Sequence, residues 1–221
     1  MNILELSENI SLAEDSVYSP HLKDSHPKIL AINELKSTYN DIVGWLEIEG
    51  TNISYPVVQG TDNGYYITHN YMGEYSSNGS IFLDKDYSWD IPSSNLLLYG
   101  HNNNNGEMFQ ELMKYKEKSF FKGHSIINFT TLDSDSRYEI ISVFLSRVYY
   151  THETNVFRYY YFLNATNKSE YDAYILESKK ASLYDTGITA DFGEQLLTLS
   201  TCDYSVQDGR LVVVAKKVND N

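Results

Sequence analysis

Over most of this chain apolar positions come in short runs, some alternating with polar residues and some unbroken, with Gly, Pro, Asn, Asp or Ser at the breaks. Alternation at every second residue, rich in β-branched and aromatic side chains, marks a strand whose two faces meet different surroundings. Eight segments, some alternating and some unbroken, read as strands: 44–49, 53–58, 79–83, 95–99, 125–132, 137–148, 195–201 and 211–218. Strands of this length with frequent turn signals predict a mainly β fold, and a closed eight-stranded barrel leaves no unpaired edge. The pattern turns helical elsewhere. Ile3, Leu4, Leu6, Ile10 and Leu12 give 2–18 an amphipathic spacing, Pro20 and Pro27 punctuate a connector, and 29–39 reads as a second short helix. Segments 65–71 and 107–115 read as short helices and 169–183 as a longer one, with Ser169 as its N-cap.

Composition narrows the class. With 221 residues and 42% hydrophobic content the chain can bury one sizeable core, so a single domain is expected. A net charge of -13 argues against nucleic acid as a partner, because a phosphate backbone is bound through clustered Lys and Arg. It disfavours an anionic membrane surface for the same reason. A single cysteine excludes an internal disulfide framework. No stretch approaches the roughly 20 apolar residues of a membrane span, and no basic start leads into a hydrophobic signal region. The Asn-X-Ser/Thr sequons are chance matches in an asparagine-rich chain.

That one cysteine closes a strand. If Leu197 and Leu199 face the core, then Thr198, Ser200 and Cys202 face the other way, which puts the thiol on an accessible wall. Asp208-Gly209 is a turn dipeptide, and the loop 203–209 can return the chain antiparallel, setting Arg210 at the same strand end as Cys202. A second apolar strand, Leu96-Leu97-Leu98-Tyr99, ends in Gly100-His101 before an asparagine tract. Taken singly, each has a bland reading: a lone cysteine as a small buried hydrophobe, an arginine at a strand start as a solvated side chain. Together they supply a nucleophile, a proton shuttle and an oxyanion donor for acyl transfer. The other histidines are weaker candidates. His69 reads as structural, His21, His26 and His124 lie in polar loops, and His152-Glu153 lacks the second histidine of a zinc-protease helix because position 156 is Val. No metal or other cofactor is expected. Asp203 adjoins the cysteine but on strand parity faces away from it.

With these three residues at strand ends, in the order His, Cys, Arg, the chain resembles the sortases, and within them class B. Leu-Ser-Thr-Cys at 199–202 fits the family's TLxTC signature, Gly100-His101-Asn102 its strand-end histidine, and Gly209-Arg210 with the valines that follow its strand-end arginine. The likeness covers roughly 42–218, and the segment 167–184 resembles the helix that separates class B from the smaller classes.

The resemblance implies a sortase-type barrel over 41–221, with an N-terminal helical segment, 1–40, packed on it as one structural unit. It implies a cysteine transpeptidase in which Cys202 attacks the threonine carbonyl of a C-terminal sorting motif of a surface protein. His101 shuttles protons, Arg210 stabilises the intermediate, and a peptidoglycan precursor amine takes the acyl group. Ser200 and the Thr201 backbone amide are expected beside the substrate. Tyr160 is expected on the groove wall. Class B members carry an N-terminal signal-anchor, so the expectation is that it has been removed here and that the natural protein sits on the outer face of the membrane. Two alternatives stay open: a cysteine hydrolase that gives its thioester to water, and a noncatalytic β-barrel peptide-binding module with a passive cysteine.

Overall fold

The computed structural model describes residues 27–90 and 93–218. All eight expected strands form: β1 (Ile42–Glu47), β2 (Ser54–Val58), β3 (Ile81–Leu83), β4 (Asn95–Tyr99), β5 (Ile126–Thr131), β6 (Asp135–Arg147), β7 (Leu196–Cys202) and β8 (Gly209–Lys217). They close into a barrel in the order β1-β2-β3-β4-β7-β8-β6-β5. Two neighbours, β2 with β3 and β4 with β7, run parallel, and the other pairs are antiparallel.

Inside the barrel, Leu96, Leu98, Leu197, Leu199, Leu211 and Val213 pack into one core. Each such side chain contributes roughly 1.5–3 kcal/mol over leaving it in water. The alternate residues of the same strands, Leu97, Leu196, Val212 and Val214, face outward yet are equally buried. Their cover is the helix α3 (Lys168–Ala181), through Tyr171, Tyr174 and Ile175, together with Tyr159. The outer wall that parity assigns to Thr198 and Ser200 is therefore closed over. Only at the strand end does Cys202 emerge to partial exposure. Around the barrel, α1 (Pro27–Thr38) sets Ile32 and Leu35 against Ile42, Trp45 and Val58.

Several local readings are corrected. The cap of α3 is Asn167, whose side chain accepts from the Glu170 backbone N–H at 3.1 Å, while Ser169 lies inside the first turn. Glu170 in turn accepts from the Thr166 N–H and hydroxyl, both at 2.9 Å, which ties the residue before the cap to the first turn and fixes Asn167 at the cap position. The segment 65–71 narrows to a 3-10 turn at Tyr65–Ile67, and 107–115 becomes a 3-10 stretch at Gln110–Lys116. An unexpected short helix, α2 (Lys118–Gly123), buries Phe121. The helix expected at 2–18 lies outside the described residues.

Candidate active site

The parallel pairing of β4 with β7 brings the chemistry together. Asn95 sits opposite Leu196 and Tyr99 opposite Ser200, and the same register continued by two residues sets His101 beside Cys202. On the other side β8 returns antiparallel with Arg210 directly opposite Cys202. Three side chains from three adjacent strands thus reach one end of the barrel. They line a cavity of about 290 Å3 together with Ser200, Thr201 and Tyr160.

The backbone at this end is tied across the strands. Gly100 N–H donates to the Ser200 carbonyl at 3.2 Å, the Thr201 hydroxyl to the Gly100 carbonyl at 2.8 Å, and the Asn102 side-chain amide to the Cys202 carbonyl at 2.9 Å. Gly100 is demanded by space, since a Cβ there would lie 2.4 Å from Ile81 Cδ1 and 2.8 Å from the Phe109 ring.

His101 donates from Nε2 to the Ile67 carbonyl at 2.8 Å. A carbonyl can only accept, so Nε2 carries hydrogen and the neutral ring keeps its lone pair on Nδ1. Arg210 folds Nη1 onto the Gly209 and Asp208 carbonyls, at 2.8 and 3.2 Å. Among the described residues no carboxylate pairs with it, which leaves further N–H donors of the guanidinium for a ligand. The turn that delivers Arg210 places Asp208 at a φ of 55°, a left-handed conformation that Asp tolerates better than most residues.

Asp203, next to Cys202 in sequence, is 3% exposed and does turn away from the cavity. Its carboxylate pairs with Lys116 and accepts from the Ser205 hydroxyl and, at 2.9 Å, the Ser205 N–H. Burial would raise its pKa, but Lys116 and Ser205 outweigh burial and hold the carboxyl below the usual aspartate range. The loop between β7 and β8 is thus pinned at its first residue.

The three residues expected to touch substrate line the cavity while their polar atoms already serve the protein. Ser200 is 2% exposed and shares a 2.7 Å hydrogen bond with the Tyr159 hydroxyl. The Thr201 hydroxyl is committed to Gly100. The Tyr160 hydroxyl accepts from the Tyr149 N–H at 3.0 Å. Tyr159 is pushed up to about 12, first by burial. Tyr99 is raised further, again first by burial and then by Asp84, to which its hydroxyl donates at 3.0 Å. Both stay neutral phenols in any working pH range and frame the site without titrating.

Asn102, Tyr159 and the Ile67 carbonyl were not singled out by sequence. Tyr159 carried a faint signal as the first of three consecutive tyrosines, and Asn102 as the residue after the histidine. A backbone carbonyl carries none. The remaining described histidines are engaged elsewhere: His69 stacks on Tyr65 at 4.0 Å, His124 on Phe120 at 4.0 Å, and His152 on Tyr150 at 5.7 Å between ring centres.

Comparison with known proteins identifies the family. A family profile described as the Sortase domain matches residues 46–218. Sortase B of Listeria monocytogenes is 32% identical over 189 residues, covering 85% of this chain and 74% of that protein. Among solved structures, sortase B of Clostridium perfringens superposes with a TM-score of 0.76 at 34% identity, over 85% of this chain and 99% of that one. A Staphylococcus aureus sortase B–substrate complex superposes at 0.81 with 27% identity, over 99% of this chain and 95% of the other.

Proposed function

The chain belongs to the class B sortases, cysteine transpeptidases that act at the cell surface, and from that premise we propose which bonds it breaks and makes and which residues carry each step. The substrate is a surface protein with a C-terminal sorting motif. Cys202 Sγ, giving its proton to Nδ1 of His101, attacks the carbonyl carbon of the motif's threonine, and the carbonyl electrons move onto oxygen. Arg210 stabilises that oxyanion with the guanidinium N–H groups that its own turn leaves free, a planar two-pronged donor being suited to the task. As the intermediate collapses, the C–N bond breaks and His101 delivers a proton to the departing nitrogen, leaving a thioester on Cys202.

An amine of a peptidoglycan precursor then attacks the thioester carbonyl. Its proton passes to His101, the C–S bond breaks, and the sulfur returns to Cys202. One amide is lost and one gained, so no oxidant or cofactor is needed. The Ile67 carbonyl supports the shuttle role: by holding Nε2–H it reserves Nδ1 for the travelling proton. Ser200, Thr201 and Tyr160 form the wall against which the motif lies. Among the described residues no helix is long and apolar enough to cross a membrane, and the proposed place of action is the extracellular face of the cell membrane.

The observation that carries this reading is the convergence of His101, Cys202 and Arg210 from three adjacent strands on one cavity. Incubation with a library of X-Pro-X-Thr-X peptides, read by mass spectrometry, tests it. Scission after threonine that disappears in Cys202→Ala and His101→Ala is expected. Tight peptide binding without scission would favour the binding module, and water as the sole acceptor would favour the hydrolase.

A further inference from the structure

The loop that leaves β4 through His101 contributes to two cavities. His101 lines the one that holds Cys202. Farther along, Asn105, Gly106, Glu107 and Met108 form part of a larger cleft of about 690 Å3, whose walls include Asn78 and Gly79. The base of the loop is closed by a bridge between Asn102 and Met108 and by the Phe109 N–H donating to the His101 carbonyl at 2.8 Å. A second wall is also shared. The Ile67 oxygen that holds His101 would lie 2.6 Å from a Cβ on Gly79, which has a φ of 60°. The residue expected to shuttle protons therefore connects to this cleft along its own loop and through the carbonyl that its ring nitrogen bonds.

The chemistry of the cleft is selective. No Lys, Arg or His lines it, so a phosphate or other anion meets no countercharge. Asparagine amides and serine hydroxyls are present instead, groups that both donate and accept as a peptide backbone requires. Within this neutral lining stands one carboxylate, Glu107. It accepts from the side-chain amides of Asn78 and Asn105, the latter at 2.7 Å, and among the described residues it has no cationic partner. Neighbouring Glu111, by contrast, is neutralised by Lys114. A carboxylate steadied by neutral amides, with acceptor capacity to spare, favours an ammonium group.

We propose that this cleft is the entry site for the acceptor, a short peptide bearing a primary amine, with Glu107 holding its ammonium before transfer. The proposal rests on the reading of His101 as the proton shuttle and of a peptidoglycan amine as acceptor. On leaving Glu107 the ammonium sheds one proton to solvent. The amine nitrogen then attacks the thioester carbon, a second proton passes to His101, and the sulfur leaves.

Two reactions of one enzyme separate this site from the rest. With a cleavable sorting peptide, hydrolysis is measured without added amine, and transfer is measured with triglycine and with alanyl-γ-glutamyl-lysine as probes. Glu107→Gln keeps the shape and removes the charge. Its KM for the better amine is expected to rise about tenfold, the scale of one charge-assisted contact, while hydrolysis and melting temperature stay as in the wild type. Glu117→Gln, which removes the same charge from outside the cleft, is expected to leave the amine KM unchanged. An unaltered KM in Glu107→Gln, an equal rise in Glu117→Gln, or a wild type that hydrolyses the peptide yet uses neither amine would overturn the proposal. Failure of the wild type to cleave any sorting peptide would instead count against the functional reading, and the proposal would fall with it.

Discussion

Arg210 allows charge to be separated from geometry. Its Nη1 is spent on two carbonyls of the turn that delivers it, so only a multi-pronged side chain can hold the turn and still reach a substrate oxygen. Lysine keeps the charge but offers one ammonium, and charge alone cannot rescue a two-pronged role. Loss of one oxyanion donor costs on the order of 3 kcal/mol, roughly a hundredfold in rate. Arg210→Lys and Arg210→Ala are both expected to fall about that far in kcat/KM for peptide cleavage, with the melting temperature lowered only by the loss of the two turn hydrogen bonds. Near-native activity in Arg210→Lys would reduce Arg210 to a diffuse positive charge. Cys202, His101 and Arg210 were legible in sequence because each is a polar residue that abruptly ends or opens an apolar run. What surrounds them was not: Ser200 was read by type as a free hydrogen-bonding group, and only packing shows its hydroxyl shared with Tyr159.

Two elements position those residues, and each carries its own expectation. The β7–β8 loop is pinned through Asp203, a buried carboxylate paired with Lys116. Breaking a buried pair by removing one partner costs about 3–5 kcal/mol, and the lower end or less applies here because Lys116 is one-third exposed. The pH dependence has a definite sign. The Asp203 pKa is lowered in the folded protein, so its stabilisation is fully present above the unfolded value of 3.8 and is lost as pH falls through the folded value. Denaturant titrations should therefore show Asp203→Asn clearly weaker than wild type at pH 7, with the gap closing as the medium is taken below about pH 4. A gap independent of pH would mean that the carboxylate charge is not what pins the loop. The second element is α3, which covers the outer face of β7. Its existence was legible from its spacing but its cap was not, since Asn167 and Ser169 are both good capping residues and the choice is made by Glu170. Asn167→Ala should lower stability by about 1 kcal/mol, and Ser169→Ala by much less. Equal losses in the two variants would contradict the assignment of the cap.

At the scale of the whole molecule, the eight strands could be read from the chain because alternation is a local signal, and closure followed because open edges are costly. The order of strands around the barrel could not. Pairing of β4 with β7 joins residues about a hundred positions apart, and nothing local in either run announces a parallel neighbour. Yet that one pairing sets His101 beside Cys202, and with the β7–β8 hairpin it turns three separate strand ends into one site. The burial of the outer face was equally hidden, since α3 lies in sequence between β6 and β7 and its packing partner is decided only when the barrel closes. The account stands or falls on whether Cys202 becomes acylated. Wild-type protein mixed with a cleavable sorting peptide, quenched in acid and digested, should yield the peptide that contains Cys202 heavier by the substrate's N-terminal fragment, and hydroxylamine should remove that mass. Cleavage that proceeds with Cys202 unmodified throughout, or an adduct carried by any other residue, would contradict it.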